Sequence, residues 1–274
     1  MIKRYFLLSI RRLLIWLVLL VVYSVALYLL LPPQYTARFS WRDEATAALT
    51  IIIGVLVGFH NRASHDRWWE GRKLWGQLVN DSRNLALKAR QLVGLEGAEA
   101  GELARLVSGF AHALRLHLRT GARLQDVPGF DAEPGQPPHV PIWLAGRVFE
   151  RLVEWRRQGR IDGFTFLSLD QHARALMDVC GACERIRNTP LPPSQTGLLR
   201  VYLVIYLALT PILMVKTLGP LGIIVFVFGA YLLLAFEFSC RAMEEPFGTD
   251  PDDLDLDRYC KTIEDSARNI LTPG

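Results

Sequence analysis

The chain is poor in cysteine and in charge. Only 4 of its 274 residues are cysteines, too few for the disulfide framework of a small secreted protein. Charged residues make up 21% of the chain and hydrophobic residues 51%, a mixture that excludes a disordered or collagen-like protein. The apolar residues are concentrated in nearly uncharged runs, whereas residues 60–197 are rich in charge. The composition therefore favours an integral membrane protein with a substantial aqueous part.

The chain also lacks the motifs of nucleic-acid binding and of catalysis. The net charge is +4, but no block of Lys and Arg with interleaved aromatic residues occurs, so we expect no nucleic-acid partner. The signatures of serine hydrolases, P-loop enzymes, dinucleotide-binding enzymes and helical zinc peptidases are all missing. The sequence therefore predicts no catalytic residues and no enzyme.

Two cysteines and the histidines need a separate interpretation. Cys180 and Cys183 have the spacing of a redox or zinc motif, but a redox site needs a βαβ context and a zinc site needs two further ligands nearby. On a helix they lie on one face, and we interpret them as small buried thiols. The 6 histidines are scattered and indicate solvated or singly hydrogen-bonded side chains, so no metal site is predicted.

Four hydrophobic runs predict membrane-crossing helices. The first has about 19 residues, enough to cross a hydrocarbon core of about 30 Å, and Pro32-Pro33 closes it. The second has only about 15 residues, so its lower end requires shielding by protein or a water-filled passage. The runs are Leu13–Leu31, Ala45–Phe59, Leu198–Thr217 with a kink at Pro211, and Leu221–Phe238.

The charges around these runs predict their orientation. Four crossings place both termini on one side, and the basic residues near the N-terminus and in Arg62–Lys73 place that side in the cytoplasm. Apolar residues three or four apart predict helices within 60–197, and no strand pattern is sustained. We therefore expect an all-α membrane protein whose spans continue into cytoplasmic helices. Its predicted parts are 1–59 with two spans, 60–197 as the cytoplasmic helical domain, 198–239 with two spans, and 240–274 as an acidic cytoplasmic segment.

The second span carries two distinct faces. Ile51, Val55 and Phe59 lie at i, i+4 and i+8 on one stripe, and Gly54 and Gly58 form a Gly-x-x-x-Gly pair that lets helices approach closely. Both faces could pack inside a helical bundle. Alternatively, copies of this helix surround an axis, and the apolar stripe lines a hydrophobic constriction.

An acidic stretch follows the fourth run. The segment from Asp250 to Asp257 is rich in carboxylates but lacks the glycine at the sixth position and the closing glutamate of an EF-hand. It is either a solvated acidic loop or a clasp for a divalent cation.

Several motifs together point to one family. Each is weak by itself, but they occur in order around the four hydrophobic runs: Val57–Phe59, Arg67–Leu78, Gly181–Ile186 with Thr189–Pro192, and Glu244–Asp257. Over most of residues 10–265 the chain resembles the bestrophins in their bacterial form.

The resemblance implies a homopentameric channel of the inner or plasma membrane, in contact with lipid and with the ions it passes. The second span would line a hydrophobic pore neck, with Phe59 after the Val-Gly pair and with Val55 and Ile51 one and two turns above it. Leu191, in a Pro-x-Pro element, would form the cytosolic aperture. Chloride and other small monovalent anions are the expected permeant ions. A cation-selective channel of the same fold, a membrane-anchored scaffold or enzyme and a secondary transporter remain as alternatives.

The resemblance also bears on calcium. In animal members an acidic cluster after Pro-Phe-Gly binds calcium and controls opening, and Asp250 and Asp253 match acidic positions of that clasp. Thr249 stands where an acid is expected, which removes one carboxylate ligand. We therefore expect at most a degenerate clasp, no cofactor and no dependence on calcium.

Overall fold

The computed structural model describes the backbone of residues 2–30 and 43–272 and the side chains of 13–30 and 47–272. Within these ranges the regular structure is all helical, which confirms the predicted fold class. A π-helical turn at Ala89–Val93 and a 3-10 turn at Leu124–Asp126 accompany the α-helices. The α-helices are α1 (Ile2–Leu30), α2 (Asp43–Lys88), α3 (Gly97–Arg119), α4 (Val140–Arg157), α5 (Gly163–Asn188), α6 (Pro193–Leu218), α7 (Pro220–Glu244) and α8 (Leu256–Leu271).

Four of these helices, α1, α2, α6 and α7, are long and apolar enough to cross a membrane, as the four hydrophobic runs predict. All four extend beyond the predicted runs, because charged and polar residues at their ends continue the same helix. Pro211 lies inside α6 rather than ending it. The predicted end of the first span at Pro32-Pro33 lies outside the described residues.

Helix α2 is far longer than its hydrophobic run. It has 46 residues and therefore a length of about 69 Å, more than twice the hydrocarbon core of a bilayer. It contains no proline, and its backbone stays helical past Phe59 into a charged segment. The helical path ends at Gly94, whose φ of +72° is left-handed. The predicted continuity between a membrane span and a charged helix is confirmed.

The chain divides into two compact units. The first, here called the apolar unit, comprises residues 1–68, 190–245 and 250–252. Within it α1, α6 and α7 pack against one another, and the Tyr23 hydroxyl donates to the Ala208 carbonyl at 2.9 Å. The turn between α6 and α7 is tight: Gly219 has a φ of +58°, and a Cβ on Gly222 would lie 2.1 Å from the Met214 carbonyl oxygen.

The second unit, here called the charged unit, comprises residues 69–189, 246–249 and 253–274. Helix α3 is its centre and packs against α4, α5 and α8. Its largest fully buried side chains include Trp75, Phe110 and Phe130. These unit boundaries differ from the predicted ones, because residues 60–68 and 190–197 belong to the apolar unit and most of the C-terminal segment joins the charged unit.

The acidic C-terminal segment contains a helix that the composition conceals. Leu256, Cys260, Ile263, Ala267 and Leu271 recur every three or four residues along α8 and are all buried. Asp255 caps the helix by accepting a hydrogen bond from the Arg258 backbone N–H at 3.0 Å. The segment is therefore an amphipathic helix packed on α3 rather than a solvated tail.

Gly109 in α3 offers a test of this packing. A Cβ there would lie 2.5 Å from a ring carbon of Phe130, whereas nothing lies within 4 Å of a Cβ at Gly101 in the same helix. We expect Gly109→Ala to destabilise the protein by about 1–3 kcal/mol through overpacking. Gly101→Ala, the matched control, should stabilise α3 by up to about 1 kcal/mol. Thermal unfolding of the purified protein in detergent measures both, and equal stabilisation by the two alanines would contradict this packing.

Candidate functional site

The predicted pore stripe lies on the open face of α2. Ile51, Val55 and Phe59 are 66%, 51% and 70% exposed. Ile53 and Val57, on another face of the same helix, are only 4% and 7% exposed. The structure thus brings the three predicted residues together on one surface that the described part of the chain leaves uncovered.

The buried face explains why the stripe is turned outward. Ile53 and Val57 form a core cluster with Leu199 and Leu203 of α6. Since residues two positions apart on a helix point in different directions, burial of this pair fixes the rotation of α2. The interpretation in which both faces pack inside a bundle does not hold for the single chain.

The glycine pair lies on an open surface as well. Gly54 and Gly58 are exposed, and no atom lies within 4 Å of a Cβ built at either position. Among the described residues, no neighbouring helix approaches the glycine pair closely. The close approach stays a prediction about contacts between copies.

A charged cluster follows the stripe in the apolar unit. His60, the residue after Phe59, has its Nε2 3.0 Å from Glu244 Oε1 and 3.8 Å from Glu237 Oε2. Arg241 donates from Nε to Glu237 Oε1 at 3.0 Å. The His60 and Glu237 side chains are buried, so this charge is held within the chain rather than on the open stripe.

The predicted aperture residue lies in the connection between α5 and α6. Leu191 is half-buried and stands between Pro190 and Pro192. The proline rings restrict the backbone on both sides of it, so its position is held by local geometry. Its role at a constriction stays a prediction, since it concerns the assembled pore.

The acidic loop connects α7 to α8. Asp250 and Asp253 lie in this connection, as does Thr249. In the charged unit, the Leu254 N–H donates to the Pro246 carbonyl at 2.9 Å, and Phe247 and Leu254 are buried. The loop is therefore anchored at its apolar residues, and the expectation of at most a degenerate clasp at the two aspartates stays a prediction.

Two arginines of α3 bind the N-terminal side of this loop and the first turn of α8. Arg119 donates from Nε to the Phe247 and Gly248 carbonyls and from Nη1 to Asp257 Oδ2 at 2.9 Å. Arg115 also pairs with Asp257. Burial alone would raise the pKa of the Asp257 carboxyl, but the two arginines hold this pKa below its usual value. Asp257 is thus an ion-pair partner rather than a spare carboxylate.

The two central cysteines are buried, which confirms their interpretation. Cys180 and Cys183 lie in α5 with no exposed surface, and neither forms a disulfide. Burial raises the pKa of the Cys180 thiol to about 12 and raises that of Cys183 as well. Both remain protonated at neutral pH and are poor nucleophiles.

Two of the scattered histidines meet on one carboxylate. His117 of α3 and His139, just before α4, each place Nε2 2.7 Å from the same oxygen, Glu184 Oε1 of α5. Burial lowers the pKa of the His117 imidazole, and the neighbouring imidazole of His139 lowers it further. Burial would raise the pKa of Glu184, but hydrogen bonds from the two histidines lower it. The prediction that the histidines are solvated or singly bonded is wrong for this pair.

No local pattern predicts this histidine pair. His117 and His139 lie 67 and 45 residues from Glu184 along the chain, so no motif spacing links the three. Only the packing of α3, α4 and α5 around a common core brings them together.

Four membrane-crossing helices, an outward apolar stripe and a charged helical unit define a multi-pass membrane protein. The model of the bacterial/fungal bestrophin family matches residues 7–269, and the chain belongs to the bestrophin family. Membership of this family makes it a channel protein and not an enzyme, as predicted.

Individual relatives and structures agree with this assignment. A Ralstonia nicotianae protein named voltage-dependent anion channel-forming protein RSc3414 is 34% identical over 232 residues, covering 81% of this chain and 74% of its own. The similarly named YneE of Escherichia coli is 30% identical, covering 88% of this chain and 81% of its own. A crystal structure of a mutant bacterial bestrophin homologue from Klebsiella pneumoniae has a TM-score of 0.84 at 25% identity, covering 93% of this chain and 97% of its own.

The contrast between the two faces of α2 predicts different effects of matched substitutions. Ile53→Ala removes a buried side chain and should cost about 2–5 kcal/mol of stability. Ile51→Ala, two residues away on the open stripe, should change stability by no more than about 0.5 kcal/mol. Thermal unfolding of the assembled protein measures both. A large loss from Ile51→Ala would mean that the stripe is packed between copies instead of facing a pore.

Proposed function

We propose that the chain forms a homopentamer whose central pore conducts chloride and other small monovalent anions across the inner or plasma membrane. The observation that carries this proposal is the outward stripe of Ile51, Val55 and Phe59 on α2. An exposed apolar face suits lipid as well, and α1 and α7 also carry exposed apolar side chains, so membership of the bestrophin family is what favours a pore lining over a lipid contact. A ring of copies gives that face a role as the lining of a pore.

The stripe has the chemistry of a hydrophobic neck. Five copies of three apolar side chains would form three stacked rings along a passage of about 12 Å. A narrow apolar passage tends to expel water, and an ion within it sheds part of its hydration. Monovalent ions of low charge density, which are the least strongly hydrated, would then pass most readily.

The proposed preference for anions rests on the neck aromatic and on the relatives. Phenylalanine rings have electropositive edges, so a ring of Phe59 side chains can present these edges to an anion. The curated relatives from Ralstonia nicotianae and Escherichia coli are named as anion channel-forming proteins. The acidic side chain of Glu237 is buried within the apolar unit and offers no surface charge that would attract cations to the stripe.

We assign both termini to the cytoplasm. The segment that follows the neck, Arg62–Lys73, is rich in arginine, and Arg62 is highly exposed. Positive residues next to membrane spans are retained on the cytoplasmic side. The charged unit, which contains the rest of α2, is then cytoplasmic as well.

The proposed channel opens without calcium. Thr249 leaves the acidic loop with fewer carboxylates than a full clasp, and Asp257 is already paired with Arg115 and Arg119. A calcium ion needs six to eight oxygen ligands. The loop is instead tied to α3 by the arginines, which stabilises it without an ion.

Reversal potentials test the proposal directly. The purified protein is placed in planar bilayers between unequal KCl solutions that contain a calcium chelator. We expect currents that reverse near the chloride equilibrium potential, because the neck admits anions and needs no calcium. Native mass spectrometry of the same preparation should show five copies.

Each part of this experiment has its own contradicting outcome. Reversal near the potassium equilibrium potential would establish the cation-selective alternative. Currents that vanish under chelation and return with calcium would show that the acidic loop is a working calcium site. A monomer or dimer as the main species would exclude the pore.

Truncation of the neck tests the pore lining. Replacing Ile51, Val55 and Phe59 together by alanine should widen and wet the passage and so raise the single-channel conductance or open probability. Leu191→Ala should instead change the relative permeability of ions of different size, because one ring of side chains acts as a short filter. Size-exclusion chromatography checks that both variants stay assembled. Unchanged conductance in an intact assembly would remove the three residues from the pore.

A further inference from the structure

The meeting point of His117, His139 and Glu184 in the charged unit has the composition of a metal site. Their donor atoms, two imidazole Nε2 atoms and one carboxylate oxygen, all lie within 4.8 Å of one another. Among the described residues this is the only group of three or more such donors that comes so close. The three side chains come from α3, from the residue before α4 and from α5, so packed helices hold the donors in place.

We propose that these three residues bind a divalent transition-metal ion such as Zn²⁺. Two imidazoles and one carboxylate are a donor set found in zinc and other transition-metal sites, whereas Mg²⁺ and Ca²⁺ prefer oxygen ligands alone. The side chains of His117 and His139 are each 25% exposed and that of Glu184 is 29% exposed. An ion can therefore enter from solvent, and water can occupy its remaining coordination position.

Binding requires only a small opening of the cluster. Each Nε2 lies 2.7 Å from Glu184 Oε1. Ligands placed tetrahedrally at about 2.0–2.1 Å from zinc are roughly 3.3 Å from one another. Each imidazole would thus move about half an ångström away from the carboxylate, which lies within the reach of side-chain torsions.

His139 also caps the N-terminus of α4, so metal binding would affect this cap. The backbone N–H of Ile142 donates to His139 Nδ1 at 3.2 Å, which places the ring proton on Nε2 in the metal-free protein. A neutral imidazole that binds zinc through Nε2 carries its proton on Nδ1, so the ion displaces this hydrogen bond. The Ile142 N–H lies at an exposed position, where water can replace the lost acceptor.

Metal titration of the full-length protein tests the proposal. Chelator-treated protein in detergent is titrated with Zn²⁺ by calorimetry, and bound zinc is counted after dialysis. We expect one ion per chain. His117→Gln, His139→Gln and Glu184→Gln should each weaken binding at least tenfold, because each removes one of three ligands. Mg²⁺ should show no binding at this site.

His112 provides the matched control. It also lies in α3 with its Nε2 3.4 Å from a glutamate, Glu264, but no second histidine joins this pair. His112→Gln should leave the zinc affinity unchanged. Equal weakening by His112→Gln, or unchanged affinity in His117→Gln, would overturn the assignment.

Cobalt gives a readout that does not depend on the variants. Co²⁺ bound by two imidazoles absorbs visible light more strongly than hydrated Co²⁺, and Zn²⁺ should displace it and abolish the band. This measurement uses the unmodified protein, so it stays decisive if a variant fails to fold. Wild-type protein that binds neither Zn²⁺ nor Co²⁺ would refute the site whatever the channel conducts.

Discussion

The packing of α2 on α6 is the contact on which the functional surface depends. Ile53 and Val57 are buried against Leu199 and Leu203, and this contact sets the rotation of a helix that no proline interrupts. Every residue of α2 then has a fixed direction, so the stripe that includes Phe59 turns away from the chain. Because a helix satisfies its own backbone hydrogen bonds, it can present such a face inside a membrane without exposing polar groups.

Ion pairs and hydrogen bonds from α3 hold the acidic segment between α7 and α8 in place. Arg115 and Arg119 on α3 bind Asp257, and Arg119 also binds two carbonyls of the loop before α8. These contacts fasten the acidic stretch to α3 within the charged unit, whereas the stripe of α2 is uncharged because its own residues are apolar.

Membership of the bestrophin family gives the stripe of α2 its interpretation. The family match spans residues 7–269, and the exposure of the stripe is consistent with the proposed lining of a pore. The histidine pair on Glu184 is a separate feature of the charged unit. Its side chains are about a quarter exposed and come from packed helical elements, a setting in which an ion could enter and be held.

The sequence alone determined the helical class and the four spans, because helix periodicity and apolar run length are local properties, whereas the candidate neck followed from the resemblance to the bestrophins. It did not reveal helix α8, whose apolar stripe lies among acids that dominate the composition. The tertiary structure decided which face of α2 is buried, since that depends on Leu199 and Leu203, more than 140 residues away. It also brought together His117, His139 and Glu184, because only the packing of helices places residues so distant along the chain within reach of one ion.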